Sequence, residues 1–366
     1  MQSDWDLIIV GAGLAGSSSA WHIAQHAQER ILLLEREPWA GTQATAQNAA
    51  MIRALPGQAD LSPFAEAGQA FWNRLPDELV IPYAFRPVGS LLLASEPATL
   101  SALETEVEQA RLRGLDCRIV DAPEIRAEYP LLRDCPLLGA AFTAQDGIAD
   151  PSALNEAWLS GARGRGVTLE LSRGVQRLLV DDGRIQGVQL RDGQLLSAPA
   201  VLVAAGAWSG QLLAGSGLRD HELRPHRRHL FCTVEDPRIP EDHPFVWHLD
   251  HQAYFRPESG GFLFSACDET EVDPGPAETE PGIEAFAHER LQAVFPFLSE
   301  IPLKRHWAGL RTFRPGAGFL LGPDPEIPGL IHASGLGGHG VTCAPEVGRR
   351  VAQAWRKTGG RDLSPV

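Results

Sequence analysis

The chain of 366 residues lacks long apolar runs, paired cysteines and the residue spacings of a metal site. No segment reaches the roughly 18 apolar residues that a membrane-spanning helix needs. The acidic N-terminus, MQSDWD, lacks the positively charged start of a signal peptide, so we expect a cytoplasmic protein and leave only a peripheral membrane contact open. Its five cysteines are scattered, without a CxxC pair, which predicts a reduced protein without a metal ion.

Positive charge is also scarce. Lysine and arginine total 32 against 46 acidic residues, which gives a formal net charge of −14. A nucleic-acid-binding protein usually carries a basic face, so this balance argues against a nucleic-acid partner. Apolar residues make up 44% of the chain, which is enough for a large core and excludes general disorder.

The N-terminal segment predicts a strand–helix–strand unit. An apolar strand over Leu7–Val10 is followed by a helix over 17–28 and by a second apolar strand over 30–35. A strand, a helix and a strand within about 30 residues form a βαβ unit. Such a unit predicts a parallel sheet and hence an α/β fold.

The turn inside this unit carries the spacing of a dinucleotide site. Gly11 permits a tight turn, Gly13 lets the backbone approach a pyrophosphate, and Gly16 allows the helix to pack closely on the strand. Glu35 ends the second strand, where an acid binds ribose hydroxyls and disfavours a 2′-phosphate. The pattern therefore indicates NAD or FAD.

Four further segments favour FAD. They are GTQATAQNAAM at 41–51, VLVAAGAWS at 201–209, WAGLR at 307–311 and LGPDPEIPGLIHASGLGGHGVT at 321–342. Together they resemble the D-amino-acid oxidase (DAO) family of FAD-dependent oxidoreductases, in its glycine oxidase, sarcosine oxidase and D-amino-acid dehydrogenase branch. WAGLR and the glycine-rich C-terminus look most like D-arginine dehydrogenase. The resemblance covers the whole chain, in the order that the family expects.

This resemblance implies two interleaved domains. A Rossmann-like FAD-binding domain would comprise 1–80, 146–220 and 318–366, and an α+β substrate domain with an antiparallel sheet would comprise 81–145 and 221–317. Some relatives carry a cysteine bonded to the flavin near the WAGLR segment. This chain has none there, so we expect FAD to be bound without a covalent link.

The resemblance also assigns residues to the cofactor. The glycines at 335–340 would let the backbone approach the flat flavin ring, and a helix predicted to begin near Pro345 would direct its dipole at the ring. The expected FAD-binding residues are Gly11, Gly13, Ala15, Gly16, Glu35, Arg36, Ala44, Thr45, Gln47, Asn48, Ala49, Met51, Val175, Ala205, Gly206, Gly335, Gly337, Gly338, His339, Gly340, Val341 and Thr342.

The family reaction implies the oxidative deamination of a small amino acid, which is a D-amino acid, glycine or an N-alkyl amino acid. A hydride passes from Cα to flavin N5, the imino acid hydrolyses to a 2-oxo acid and ammonia, and O₂ or a quinone accepts the electrons. Oxidation of a 2-hydroxy acid on the same fold is the alternative. Neither reaction needs a protein nucleophile, which agrees with the lack of a Ser/His/Asp set.

Four residues are expected at the substrate. Arg311 would grip its carboxylate in a bidentate manner, with a structural ion pair as the alternative. By the resemblance, the Tyr254 hydroxyl would meet the same carboxylate, and Arg227, from the basic cluster at 224–229, would lie at the mouth of the site unless that cluster is a solvated loop. His339 would hydrogen-bond the substrate or influence loss of the amine proton, or only its backbone would matter. The resemblance to D-arginine dehydrogenase implies that the acid which recognises a basic substrate side chain falls at Val88. The apolar residue there predicts a pocket that favours an uncharged side chain.

Overall fold

The computed structural model describes residues 4–26, 29–79, 81, 84–316 and 318–357, and every structural statement below refers to them. The helices are α1 Leu14–Ala24, α2 Ser62–Asn73, α3 Pro97–Leu112, α4 Ala122–Glu128, α5 Pro151–Arg163, α6 Ser209–Gly215, α7 Ile283–Val294, α8 Pro296–Ser299 and α9 Gly340–Lys357. The strands are β1 Leu7–Val10, β2 Ile31–Leu34, β3 Met51–Ile52, β4 Phe85–Arg86, β5 Ser90–Ala94, β6 Cys117–Asp121, β7 Gly139–Thr143, β8 Gly147–Ala149, β9 Thr168–Glu170, β10 Val175–Asp181, β11 Arg184–Leu190, β12 Leu195–Ser197, β13 Val201–Val203, β14 Arg224–Thr233, β15 Phe245–His248, β16 Ala253–Glu258, β17 Gly261–Ser265, β18 Thr270–Glu271, β19 Leu303–Phe313, β20 Leu320–Pro323 and β21 Leu330–Ser334.

The first sheet contains the predicted βαβ unit. Its strand order is β20-β21-β13-β1-β2-β9, and all neighbours are parallel except β20 with β21. β1 and β2 are apolar and buried along their whole length. They are buried because α1, α5 and α9 cover one face of the sheet, and the three-stranded sheet β10-β11-β12 covers the other.

The second large sheet has nine strands. It runs β18-β14-β17-β16-β15-β5-β7-β6, with β19 paired along β14. The sheet is antiparallel as expected, except that β5 and β15 pair in parallel. Its strands all lie within 81–145 and 221–317, the ranges predicted for the substrate domain, but the division into domains stays a prediction. A small third sheet, β3-β8-β4, lies beside them.

The two helices expected at the cofactor begin earlier than predicted. α1 begins at Leu14 rather than at residue 17, and the predicted end at 27–28 lies outside the described residues. α9 begins at Gly340, so Pro345 lies inside the helix. Proline cannot donate to the carbonyl four residues back, which is that of Val341. The indole N–H of Trp72 donates to this carbonyl instead, at 3.1 Å, and so compensates for the missing bond.

A buried polar network joins the end of β20 to the segment before β14. Oδ2 of Asp324 lies 2.8 Å from Nε2 of His332 and 3.2 Å from Nε2 of His221, and its Oδ1 accepts the amides of Glu326 and Ile327. Sequence spacing does not reveal this cluster, because its members are up to 111 residues apart in the chain. Separately, within the described chain no helix is both long and apolar enough to cross a membrane.

Candidate active site

One cavity of about 890 Å³ lies at the carboxyl ends of β1, β2, β13 and β21 and reaches the face of β14 and β19. It is lined by every residue expected to bind FAD except Gly16, and by three of the four residues expected at the substrate, Arg311, Tyr254 and His339. Binding at the carboxyl ends of parallel strands is the general rule for open α/β sheets. The cavity therefore brings together segments from both ends of the chain.

The glycine turn has the geometry that the sequence predicts. Gly11 has a φ of +104°, and a Cβ there would lie 2.5 Å from the carbonyl oxygen of Ala204. A Cβ at Gly16 would lie 1.8 Å from the carbonyl oxygen of Gly11, so Gly16 packs the helix against the turn rather than facing the cavity. Glu35 is held at the cavity wall because its Oε2 accepts the amide of Ala12 at 2.9 Å.

Arg36 and Trp208 form a stacked pair at the cavity. The guanidinium of Arg36 stacks over the indole of Trp208, 3.4 Å from the ring centroid. Val175 lies at the start of β10 and lines the same region. A stacked, planar pair beside a carboxylate fits the adenosine half of a dinucleotide.

The central part of the cavity also fits a flavin. The loop at 335–340 lies against it, and a Cβ at Gly338 would lie 3.0 Å from Nη1 of Arg311. The Oε1 of Gln47 is buried there without a hydrogen-bond partner among the described residues. An unpartnered acceptor in the wall suits a bound molecule that carries a donor, since leaving the acceptor unpaired costs free energy. No cysteine is among the cavity-lining residues, all five cysteines being in the described part of the chain.

Two guanidinium groups face the far end of the cavity. Arg311 on β19 and Arg228 on β14 both donate to the same carboxylate oxygen, Oε2 of Glu269, at 2.5 and 2.9 Å. Nε of Arg311 and Nη1 of Arg228 are buried and have no partner in the described structure. The hydroxyl-bearing ring of Tyr254 on β16 lines the same end. These groups offer several donors to an anion.

Arg227 does not lie where the sequence analysis placed it. Register pairs His226 with Arg311 and Arg228 with Gly309, so these residues share one face of the sheet and Arg227 lies on the other. Arg227 forms an ion pair with Glu280 and is not among the cavity-lining residues. Because side chains alternate along a strand, a shift of one residue exchanges the two faces. We therefore replace Arg227 with Arg228 in the candidate site.

His339 faces the cavity near two arginines. Burial in the cavity wall, together with the charges of Arg53 and Arg311, lowers the pKa of His339 to about 3. The imidazole is therefore neutral at physiological pH and can accept a hydrogen bond. Burial raises the pKa of Tyr254, so its hydroxyl stays protonated and can donate.

The expectation at Val88 is also revised, because Val88 is not among the residues that line the cavity. The end of the cavity beside Tyr254 instead carries Arg53, Arg228 and Arg311. Three cations at one end make that end electrostatically unfavourable for a further positive charge.

Sequence reasoning missed four residues that line the cavity, namely Arg53, Arg228, Trp247 and Glu269. Arg53 stacks over Trp247, 4.4 Å from the ring centroid, and donates to the carbonyl of Pro56 at 3.2 Å. Arg228 stands in the basic cluster that the sequence analysis identified, and the alternation of that strand could have separated it from Arg227. No sequence signal marks Glu269, which reaches Arg228 only through the pairing of β18 with β14.

With the site described, comparison with known proteins gives its class. The chain matches the family model described as FAD dependent oxidoreductase (DAO) over residues 6–354 and therefore belongs to that family. FAD is thus its cofactor, the enzyme is an oxidoreductase, and the predicted α/β fold is confirmed. The particular likeness to D-arginine dehydrogenase stays a prediction.

Individual relatives agree with this family. The chain is 26% identical to 4-methylaminobutanoate oxidase (formaldehyde-forming) of Paenarthrobacter nicotinovorans, over 98% of this chain and 44% of that protein. It is 26% identical to the uncharacterized oxidoreductase YurR of Bacillus subtilis, over 98% of this chain and 97% of that one. It therefore spans less than half of the first relative and nearly all of the second.

Solved structures show the same fold. L-proline dehydrogenase from P. horikoshii superimposes with a TM-score of 0.87 at 21% identity, covering 98% of this chain and 95% of that one. Glycine oxidase from Geobacillus kaustophilus superimposes with a TM-score of 0.82 at 23% identity, covering 96% and 95%. At these identities the likeness concerns the fold alone.

Proposed function

We propose that the enzyme oxidises the carbon–nitrogen bond of a small amino acid, which is a D-amino acid, glycine or an N-alkyl amino acid, with FAD bound without a covalent link. The observation that carries this proposal is the pair of guanidiniums, Arg228 and Arg311, that face the cavity beside Tyr254. Each has one buried N–H without a partner in the described structure. A substrate carboxylate would supply the missing acceptors.

The residues around this pair have complementary tasks. Arg311 and Arg228 bind the carboxylate, and the protonated hydroxyl of Tyr254 donates a further hydrogen bond to it. His339, neutral because its pKa is lowered to about 3, accepts a hydrogen bond from the amine and is too weak a base to hold its proton. The substrate amine therefore loses its proton to solvent, and kcat/KM is expected to rise with pH towards the pKa of that amine.

FAD, when bound, supplies the two-electron oxidation by accepting a hydride from Cα. The residues expected to hold it come mainly from the glycine turn, the segment at 44–51 and the loop at 335–342, and all of those assigned to FAD except Gly16 line the cavity. The imino acid then leaves the site, and water hydrolyses it to a 2-oxo acid and ammonia, or to an amine when the nitrogen carries an alkyl group. The absence of cysteine from the cavity-lining residues supports dissociable FAD.

The relatives support an amine substrate. The names of 4-methylaminobutanoate oxidase and of rat dimethylglycine dehydrogenase, which is 24% identical over 91% of this chain, both specify an N-methyl amine that bears a carboxylate. The guanidinium pair would serve a 2-hydroxy acid equally well. His339 can accept a hydrogen bond from either an amine or a hydroxyl group. The two substrate classes are therefore distinguished by measuring which of them the enzyme oxidises.

The test measures whether a substrate bleaches the flavin absorbance at about 450 nm under anaerobic conditions. The holoenzyme is mixed with D- and L-alanine, glycine, N-methylglycine, D-arginine and a hydroxy acid with a single carboxylate, lactate. We expect bleaching by at least one uncharged-side-chain amino acid and formation of the matching 2-oxo acid and ammonia or methylamine. Bleaching by the hydroxy acid alone would establish the alternative, and bleaching by none would refute both. Reoxidation by air or by a soluble quinone then identifies the electron acceptor.

A further inference from the structure

Glu269 is placed at the guanidinium pair by the register of the sheet. β18 pairs with β14 so that Glu271 lies opposite His226 and Thr270 lies opposite Arg227. The next position, Glu269, continues this register towards Arg228, on the face that lines the cavity. A single oxygen of its carboxylate meets both guanidiniums, at 2.5 and 2.9 Å. The contact therefore depends on the pairing of three neighbouring strands, β18, β14 and β19.

Two positive charges and one carboxylate meet at this point. Arg228 and Arg311 bring the two positive charges, and both guanidiniums contact the carboxylate of Glu269. The carboxylate of Asp268, which is hydrogen-bonded to His229, also lies close enough to act on the charge of Arg228. A substrate with a single carboxylate adds one negative charge to this group, whereas a dicarboxylate adds two.

The hydrogen-bond donors also favour one carboxylate over two. Glu269 occupies Nη2 of both arginines, and the buried donors of this pair that have no partner in the described structure are Nε of Arg311 and Nη1 of Arg228. One substrate carboxylate can accept from these donors, but a second carboxylate would have to lie beside the carboxylate of Glu269. Two carboxylates side by side also repel each other in a partly desolvated site.

We propose that Glu269 is a specificity-determining residue, an internal carboxylate that fills half of a two-arginine site and makes the enzyme select monocarboxylic over dicarboxylic amine substrates. The proposal rests on the proposed function in one respect, namely that the substrate is bound through a carboxylate at Arg228 and Arg311. It predicts that removing the charge of Glu269 opens a second carboxylate position.

The test compares the holoenzyme with its Glu269→Gln variant. Dissociation constants are measured by calorimetry for acetate and malonate, which cannot be oxidised, and kcat/KM is measured for N-methylglycine and iminodiacetate. We expect malonate to bind at least about tenfold more tightly to the variant, with acetate changed less than about threefold. The iminodiacetate to N-methylglycine ratio of kcat/KM should rise by a similar factor.

Glu280→Gln is the matched control. Glu280 forms the same kind of ion pair with Arg227 on the opposite face of β14, and its side chain is 47% exposed against 45% for Glu269. This variant should leave unchanged the ratio of the malonate and acetate dissociation constants and the iminodiacetate to N-methylglycine ratio of kcat/KM.

Three results with Glu269→Gln would overturn the proposal. An equal gain in affinity for acetate and malonate would mean that Glu269 repels every anion alike and does not select between one and two carboxylates. Unchanged binding would mean that it does not act on the site, and loss of both ligands would mean that it merely positions the arginines. Binding of acetate and malonate decides this even if no amine proves to be a substrate, so failure of the proposed function is distinguishable.

Discussion

Replacing Arg311 with alanine is expected to lower kcat/KM for the amino-acid substrate strongly. Arg311 lies on β19 with its guanidinium on the cavity, 19% of the side chain being exposed. Its guanidinium lies against the glycine loop, since a Cβ at Gly338 would lie 3.0 Å from its Nη1. A carboxylate bound here is thereby fixed relative to the part of the cavity that fits the flavin.

The magnitude follows from the donors that Arg311 has left. Nη2 is bound to Glu269, which leaves Nε and Nη1 for the substrate. Hydrogen bonds to charged groups contribute about 1.5–3 kcal/mol each, so two of them contribute about 3–6 kcal/mol. At about 1.4 kcal/mol per factor of ten, this is roughly 10²–10⁴-fold in kcat/KM. We expect the lower half of this range, because Arg228 stays in place and retains part of the attraction.

The assay is steady-state kinetics with the best substrate of the amino-acid panel. Arg311→Ala should act mainly through a raised KM, and Arg311→Lys should recover only part of the loss, because an ammonium keeps the charge without the planar fork. Arg227→Ala is the control, since Arg227 lies on the opposite face of the neighbouring strand and binds Glu280. Its kcat/KM should stay within about twofold of the unaltered enzyme.

Two results would refute this reasoning. Unchanged kinetics in Arg311→Ala would show that the substrate carboxylate is held elsewhere, and an equal loss in Arg227→Ala would show that the effect is structural. Flavin absorbance and the thermal midpoint of each variant establish that the comparison concerns folded holoenzyme.

Three further predictions concern the cofactor turn and stability. Gly16→Ala should abolish retention of FAD, because a Cβ there would lie 1.8 Å from the carbonyl oxygen of Gly11; retention is measured as the flavin absorbance of the purified protein. The control Gly164→Ala, whose Cβ would have no neighbour closer than 3.5 Å, should retain FAD. Asp324→Asn should lower the free energy of unfolding in urea by about 1–3 kcal/mol, because its buried carboxylate meets two imidazoles and two amides, and an unchanged value would show that this network contributes nothing. Burial lowers the pKa of His22 to about 4, whereas in the unfolded chain it is about 6.5. As the pH falls, the unfolded chain therefore binds the proton first, and the free energy of unfolding should fall by roughly 1–2 kcal/mol between pH 7 and 5. A His22→Phe variant should lose this part of the pH dependence in urea titrations.

The cofactor turn could be predicted because its information is local. Gly11, Gly13 and Gly16 act through the space around their own backbone, and their spacing records that space directly. The start of α9 could not be predicted in the same way. Pro345 signals a helix start. In the structure it lies inside the helix, and the carbonyl that it leaves free accepts a hydrogen bond from Trp72, which is 273 residues away in the chain.

The choice of the arginines that face the cavity depends on strand pairing, which a single sequence does not contain. Arg227 and Arg228 are equally basic, and only the register of β14 against β19 decides which of them shares a face with Arg311. The contribution of Glu269 needs a second register, that of β18 against β14. Residue types and strand periodicity thus limit the candidates to a few side chains, and the long-range pairing of three strands selects among them.

The overall charge and the charge of the site act over different distances. The chain carries a formal net charge of −14, yet the substrate end of its cavity presents Arg53, Arg228 and Arg311 with Glu269 as the carboxylate that contacts two of them. At physiological ionic strength the Debye length is about 8 Å, so exposed acidic groups on distant surfaces barely act on an anion that has entered the cavity. Partly buried guanidiniums are screened much less and dominate there. The acidic balance therefore bears on nucleic acids, which meet the outer surface, and leaves a carboxylate substrate compatible with this enzyme.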